Sequence, residues 1–192
     1  MIMKDGTIRH LCKRFNYPGH AHELTFSCYR GYKLLSKDRT RQWFVDSLCR
    51  ARRKHNFDIW SYVLMPEHVH LTLCPCRDEY DISEILKSIK QPVARKAMNF
   101  LRRRNRRWLE RLTVRHPNGE VERHFWQPGG GYDRNIFTME ALVGSIFYIH
   151  ANPARRGLVA CVTDWEFSSA RWYEGESDCR LQMDATMSDL RI

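Results

Sequence analysis

Apolar and polar positions alternate between two periods along the chain, and the changes of period mark its elements. Residues 21–29 alternate strictly, with Leu24, Phe26 and Cys28 on one face, which predicts a strand. Over 38–56 the apolar residues Trp43, Phe44, Val45, Leu48 and Ala51 recur at helical spacing. Arg50, Arg52, Arg53 and Lys54 load the end of that stretch, where cations meet the negative pole of a helix. Residues 57–64 and 69–74 are rich in strand formers and predict two further strands. Pro66 in the link cannot donate to a ladder, so a tight hairpin or an edge position is expected.

A second helical stripe begins at Ile82 and runs through Ile85, Leu86, Ile89 and Val93. Pro92 lies inside it, so a kink or break is expected there, with the helical pattern resuming towards Trp108 and Leu112. Asn118-Gly119 predicts a turn. Phe125-Trp126 opens a fourth strand-like stretch that continues through Gly129-Gly130-Gly131 to Ile136. A last helix is expected over 138–152, with Thr138 as N-cap and Asn152-Pro153 as its stop. The order β-α-β-β-α-β-α predicts an α+β sandwich, an antiparallel sheet with helices on one face.

Within the third strand, His68 and His70 are two residues apart and so project from one face, while Val69, Leu71 and Leu73 project from the other into a core. Two imidazoles side by side can share one divalent cation. On the last helix, at about 100° per residue, Leu142, Val143, Ile146 and Ile149 form a buried stripe. Ala141, Gly144, Ser145, Tyr148 and Asn152 fall on the other side. Small neighbours leave the Tyr148 hydroxyl open to a large ligand. Asn152 projects from the same side one turn later, and its amide oxygen suits Mg²⁺ or Mn²⁺. Glu67 and His150 are close in sequence to these groups but are expected at the surface, since His150 lies about 200° round the helix from Tyr148.

Composition narrows the partners. The 192 residues are 43% hydrophobic, enough for one domain with a packed core, and carry a net charge of +10. That excess is the footprint of a nucleic-acid binder. It concentrates in residues 95–124, where Arg95, Lys96, Arg102, Arg103, Arg104, Arg106, Arg107 and Arg111 are the candidate DNA contacts. Trp108, Trp126 and Tyr132 are candidates for stacking on unpaired bases. No apolar run is long enough for a membrane span. The seven scattered cysteines make a poor disulfide framework, which points to a cytoplasmic, nucleoid-associated protein.

Four segments carry a family resemblance. They are Tyr62-Val63-Leu64-Met65-Pro66-Glu67-His68-Val69-His70-Leu71, Phe125-Trp126-Gln127-Pro128, Tyr132-Asp133-Arg134-Asn135-Ile136, and the run from Tyr148-Ile149-His150-Ala151-Asn152-Pro153 to Val159. Together with Trp165-Glu166-Phe167-Ser168-Ser169 they resemble the REP-associated tyrosine transposases, relatives of the single-tyrosine HUH transposases. The resemblance implies a ferredoxin-like fold with the histidine pair on a central strand. It implies His68, His70 and Asn152 as metal ligands and Tyr148 as nucleophile. The implied reaction is cleavage and rejoining of single-stranded or hairpin DNA through a 5′-phosphotyrosine. The domain would span 21–173, with a basic helical insertion at 95–124, an N-terminal extension at 1–20 and a polar, loosely ordered tail at 174–192. Monomer and homodimer both remain open. The competing reading is a non-catalytic nucleic-acid-binding module on the same fold.

Overall fold

The computed structural model describes residues 14–176 and 179–184. The N-terminal extension before residue 14 and most of the tail therefore lie outside the described residues. Strand β1 (Ala21–Ser27) leads through a single 3₁₀ turn to α1 (Asp38–His55), then to the hairpin of β2 (Phe57–Leu64) and β3 (His68–Pro75). Helices α2 (Ile82–Arg104) and α3 (Arg106–Arg111) follow, then a small hairpin of β4 (Thr113–Arg115) and β5 (Val121–Arg123). Strand β6 (Tyr132–Ile136), α4 (Met139–Arg155) and the short α5 (Ala170–Tyr173) complete the chain. Strands β2, β3, β1 and β6 form one four-stranded antiparallel sheet in that order. No described helix is long and apolar enough to cross a membrane.

Strand alternation builds the layers. Leu24, Phe26, Val69, Leu71 and Leu73 face α1 and α2 and form the main core with Phe44, Leu48, Ile85 and Ile89. The expected α+β sandwich is thus the observed architecture, with α1 and α2 as its helical layer. Helix α4 is an addition on the opposite face, where Leu142 and Ile146 pack on Ala21 and Ile136, and Ile149 packs on Val63 and Met65. The histidine face of β3 is therefore roofed by α4.

Several expectations are corrected. Pro92 neither breaks nor ends α2, which runs unbroken to Arg104. A proline has no N–H for the carbonyl four residues earlier, here Ser88. The buried Ser47 hydroxyl of α1 donates to the Ser88 and Ile89 carbonyls instead, at 3.3 and 2.8 Å. The break falls at Asn105, whose side chain caps α3 through the Trp108 N–H.

Likewise α4 continues through Pro153 to Arg155. The carbonyl left without its N–H partner is that of Ile149, and the Asn152 amide reaches it at 3.4 Å while donating to Tyr148 O at 2.8 Å. The stretch from Phe125 to Ile136 is not one strand. Trp126 makes a single bridge to Cys28, and β6 begins only at Tyr132. Between them Gly131, at φ +71°, passes so close to β1 that a Cβ would lie 2.4 Å from Thr25 O. The described part of the tail is docked rather than loose, with Leu181 and Met183 in the main core and Arg52 paired to Asp184.

Candidate active site

His68 and His70 leave β3 on the face covered by α4. Their Nε2 atoms are 3.0 Å apart, with the rings nearly perpendicular. Each ring is held from behind. His68 Nδ1 lies 3.2 Å from Glu67 Oε1, and His70 Nδ1 lies 2.8 Å from Thr25 Oγ1, its cross-strand partner on β1. A carboxylate only accepts, so His68 Nδ1 carries the proton and its Nε2 presents a lone pair. That lone pair needs either a proton on His70 Nε2 or a cation shared by both rings. At 3.0 Å the two nitrogens are close enough either to share a proton or to meet one cation.

The electrostatics agree. Burial, and then His68, push the His70 pKa down to about 4, and burial lowers His68 against the opposing pull of Glu67. Both imidazoles are neutral at physiological pH, the form that ligates metals. Among the described residues no group of three His, Cys, Asp or Glu side chains encloses a metal site.

Tyr148 stands opposite. Its ring meets His70 edge to face at a centroid distance of 5.9 Å, and it is 47% exposed. It forms one wall of an open cleft of about 750 Å³ with His70, Thr25, Glu23, Arg134 and Tyr132. The Arg155 guanidinium lies 5.4 Å from the Tyr148 ring centroid. Arg156 reaches from the end of α4 to Glu67 Oε1 at 2.6 Å, the same oxygen that meets His68. One carboxylate therefore ties the helix that bears Tyr148 to the histidine pair. Asn152 is buried one turn beyond Tyr148, its amide nitrogen turned onto its own helix. It does not line the cleft that His70 and Tyr148 share.

The site also corrects the reading of its neighbours. Glu67 is the common partner of His68 and Arg156. His150 is buried on the far side of α4, with Nε2 2.7 Å from Ser169 Oγ and its ring against Tyr173. Burial pushes its pKa down to about 4. The unfolded chain takes up this proton near pH 6.5 and the folded chain near 4, so the unfolded state binds more protons in between. Stability is thus complete above about pH 6.5 and lost as the pH falls towards 4, by roughly 3 kcal/mol for this group. His150→Gln, which keeps a partner for Ser169, is expected to flatten that acid limb in a series of thermal melts between pH 7 and 4. An unchanged limb would contradict the assignment.

The model of the IS200-like transposase family matches residues 17–133. This chain belongs to the IS200-like transposase family. The matched span contains His68 and His70 and ends before Tyr148 and Asn152. A protein of Haemophilus influenzae Rd, provisionally named as a REP-associated tyrosine transposase, is 23% identical over an alignment of 145 positions that covers 72% of this chain and 77% of the relative. A solved REP-associated tyrosine transposase bound to a REP hairpin shares the fold at a TM-score of 0.68 and 20% identity, over 88% of this chain and 87% of its own. A provisionally assigned transposase from Deinococcus radiodurans R1 gives a TM-score of 0.44 at 17% identity, over 74% of this chain and 97% of its own, too low to support any inference.

In this transposase the candidate DNA contacts stand apart from the cleft. Arg95 and Lys96 project from α2, and Lys96 pairs with Asp46 at 3.6 Å. Arg102, Arg103, Arg104, Arg106, Arg107 and Arg111 are exposed on the end of α2 and on α3. None of them lines the cleft, since α2 belongs to the opposite helical layer. Of the three aromatic candidates, Trp126 is core and Trp108 packs edge to face on Tyr32. Only Tyr132, 49% exposed at the cleft rim, presents a free face. Sequence reasoning did not place Thr25 and Glu67 against the histidine pair. Alternation along β1 puts Thr25 on the histidine face, but its pairing with His70 emerges only in the folded sheet.

Proposed function

We propose that this transposase cleaves and rejoins single-stranded DNA at the foot of a hairpin, with Tyr148 as nucleophile and His68, His70 and Asn152 as the holders of an Mg²⁺ or Mn²⁺ ion. The observation that carries the reading is the approach of the Tyr148 ring to His70 at the wall of an open cleft. When bound, the cation supplies charge that polarises a scissile phosphate. The remaining work belongs to the protein. Tyr148, exposed midway along α4, forms an Oη–P bond as the P–O3′ bond breaks. The phenol gives up its proton, the departing 3′-oxygen gains one, and a 5′-phosphotyrosine remains. The ester keeps the bond energy, so rejoining needs no nucleotide cofactor. Glu67 orients His68 and, through Arg156, sets the position of α4. Arg155 brings positive charge beside Tyr148, while Arg134 is paired with Glu23 at 2.8 Å. The exposed arginines of α2 and α3 hold the duplex arm, a reading supported by the fold shared with a relative solved on a REP hairpin.

Incubation of the chain with end-labelled hairpin DNA carrying a single-stranded foot tests this. A covalent protein–DNA species is expected with Mg²⁺ or Mn²⁺ and none with chelator; cleavage in chelator would refute the role of the cation. Glu67→Gln is expected to weaken Mn²⁺ binding by about 10–100-fold, the usual effect of losing a partner behind a ligating histidine. Titration calorimetry without DNA measures it, and an unchanged affinity would remove Glu67 from the site.

A further inference from the structure

The hollow between α2 and the glycine loop has no part in the chemistry above. It measures about 370 Å³ and is bounded by Arg14, Ser83, Lys87, Lys90, Trp126 and the backbone of Gly129-Gly130. Three cations line it, and two are engaged. Lys87 pairs with Glu84 at 3.1 Å. Arg14 donates to Ser83 Oγ at 2.9 Å and Gly130 O at 2.8 Å and lies 3.4 Å from Asp133, which also holds His22. Lys90 differs. Among the described residues its ammonium faces aromatic rings, 5.3 Å from the centroid of Phe26 and 6.0 Å from that of Trp126, and no carboxylate pairs with it. Burial, with Arg14 nearby, lowers its pKa.

A half-buried cation beside a second cation is unfavourable until an anion arrives. We propose that this hollow is a phosphate site that takes a backbone phosphodiester of the bound DNA between Lys90 and Arg14. The proposal rests on the transposase reading for its ligand. The path supports it. The cleft shares Thr25 and Tyr132 with a smaller hollow that also touches Pro128 and Gly131, and the Lys90 hollow begins on the neighbouring Gly129-Gly130. A strand leaving the cleft past Tyr132 crosses the glycine loop and reaches Lys90. Even a Cβ added at Gly129 would meet nothing within 4 Å, so the backbone of the strand can approach closely there.

Binding of the labelled hairpin with its single-stranded foot is measured over a salt series for the wild type, Lys90→Met and Lys90→Arg. The methionine keeps an apolar stem against Phe26 and Trp126 while removing the charge. It is expected to weaken binding roughly tenfold near 0.1 M salt and to lower the slope of log Kd against log salt by about one, with arginine restoring both. Unchanged slope and affinity in a folded Lys90→Met would overturn the site. Should that variant unfold, amine labelling of wild-type Lys90 decides: protection by the hairpin supports the site, while protection by inorganic phosphate alone refutes the assignment to DNA. A slope change without any covalent adduct in the wild type would leave this site standing and sink the catalytic reading instead.

Discussion

Tyr148→Phe is expected to abolish the covalent protein–DNA adduct and to slow strand cleavage by roughly 10⁴-fold or more, the scale on which removing a nucleophile acts. Hairpin binding should change by less than about twofold, because phenylalanine keeps the ring that faces His70 and loses only the hydroxyl. Stability should also hold, since the side chain is half-exposed and no described hydrogen bond depends on its Oη. A denaturing gel of the labelled adduct, with a binding isotherm and a melt on the same preparation, measures all three. Cleavage that persists in this variant would favour a different nucleophile. Unaltered binding with no cleavage in either protein would favour a non-catalytic module on the same fold.

His70→Ala is expected to have the second-largest effect, lowering cleavage by about 10³-fold or more and weakening Mn²⁺ binding beyond the loss in Glu67→Gln. One member of a 3.0 Å nitrogen pair is removed, and the remaining imidazole with the Asn152 amide makes a weaker site. Binding of DNA in chelator should stay near the wild-type value, because the basic arm is elsewhere. Acid behaviour offers a separate check. His70 is buried and held neutral down to about pH 4, so it adds to the loss of stability as the pH falls below about 6.5. The variant should therefore lose less stability than the wild type between pH 6.5 and 4. Full activity of His70→Ala with Mg²⁺ would remove the histidine pair from the mechanism.

How much of this was legible follows from what each feature depends on. The β1, α1, β2 and β3 boundaries came from local periodicity, and so did the common face of His68 and His70. Tyr148 and the stripe of Leu142, Ile146 and Ile149 were likewise set by helical spacing, with Val143 only half-buried. Several of the differences involve partners that local spacing does not show. Pro92 is tolerated because Ser47, on another helix, serves the freed Ser88 carbonyl. Pro153 is tolerated because Asn152 does the same within α4, which also gives that side chain a structural duty beside its proposed ligand role. The β4–β5 hairpin is three residues a side, too short for alternation to show. Glu67 and His150 were placed at the surface because sequence adjacency says nothing about Arg156 or Ser169 folding onto them. The excess charge was correctly concentrated in 95–124, but charge density could not tell that these arginines lie in a different layer from the cleft.

In the proposed reaction Tyr148 carries the DNA. Proteolysis of the purified covalent adduct, followed by mass spectrometry of the nucleotide-bearing peptide, locates the bond directly. A single modified peptide is expected, with the added mass of a 5′-phosphonucleotide on Tyr148. The same mass on Tyr132, on another tyrosine or on a serine would contradict it.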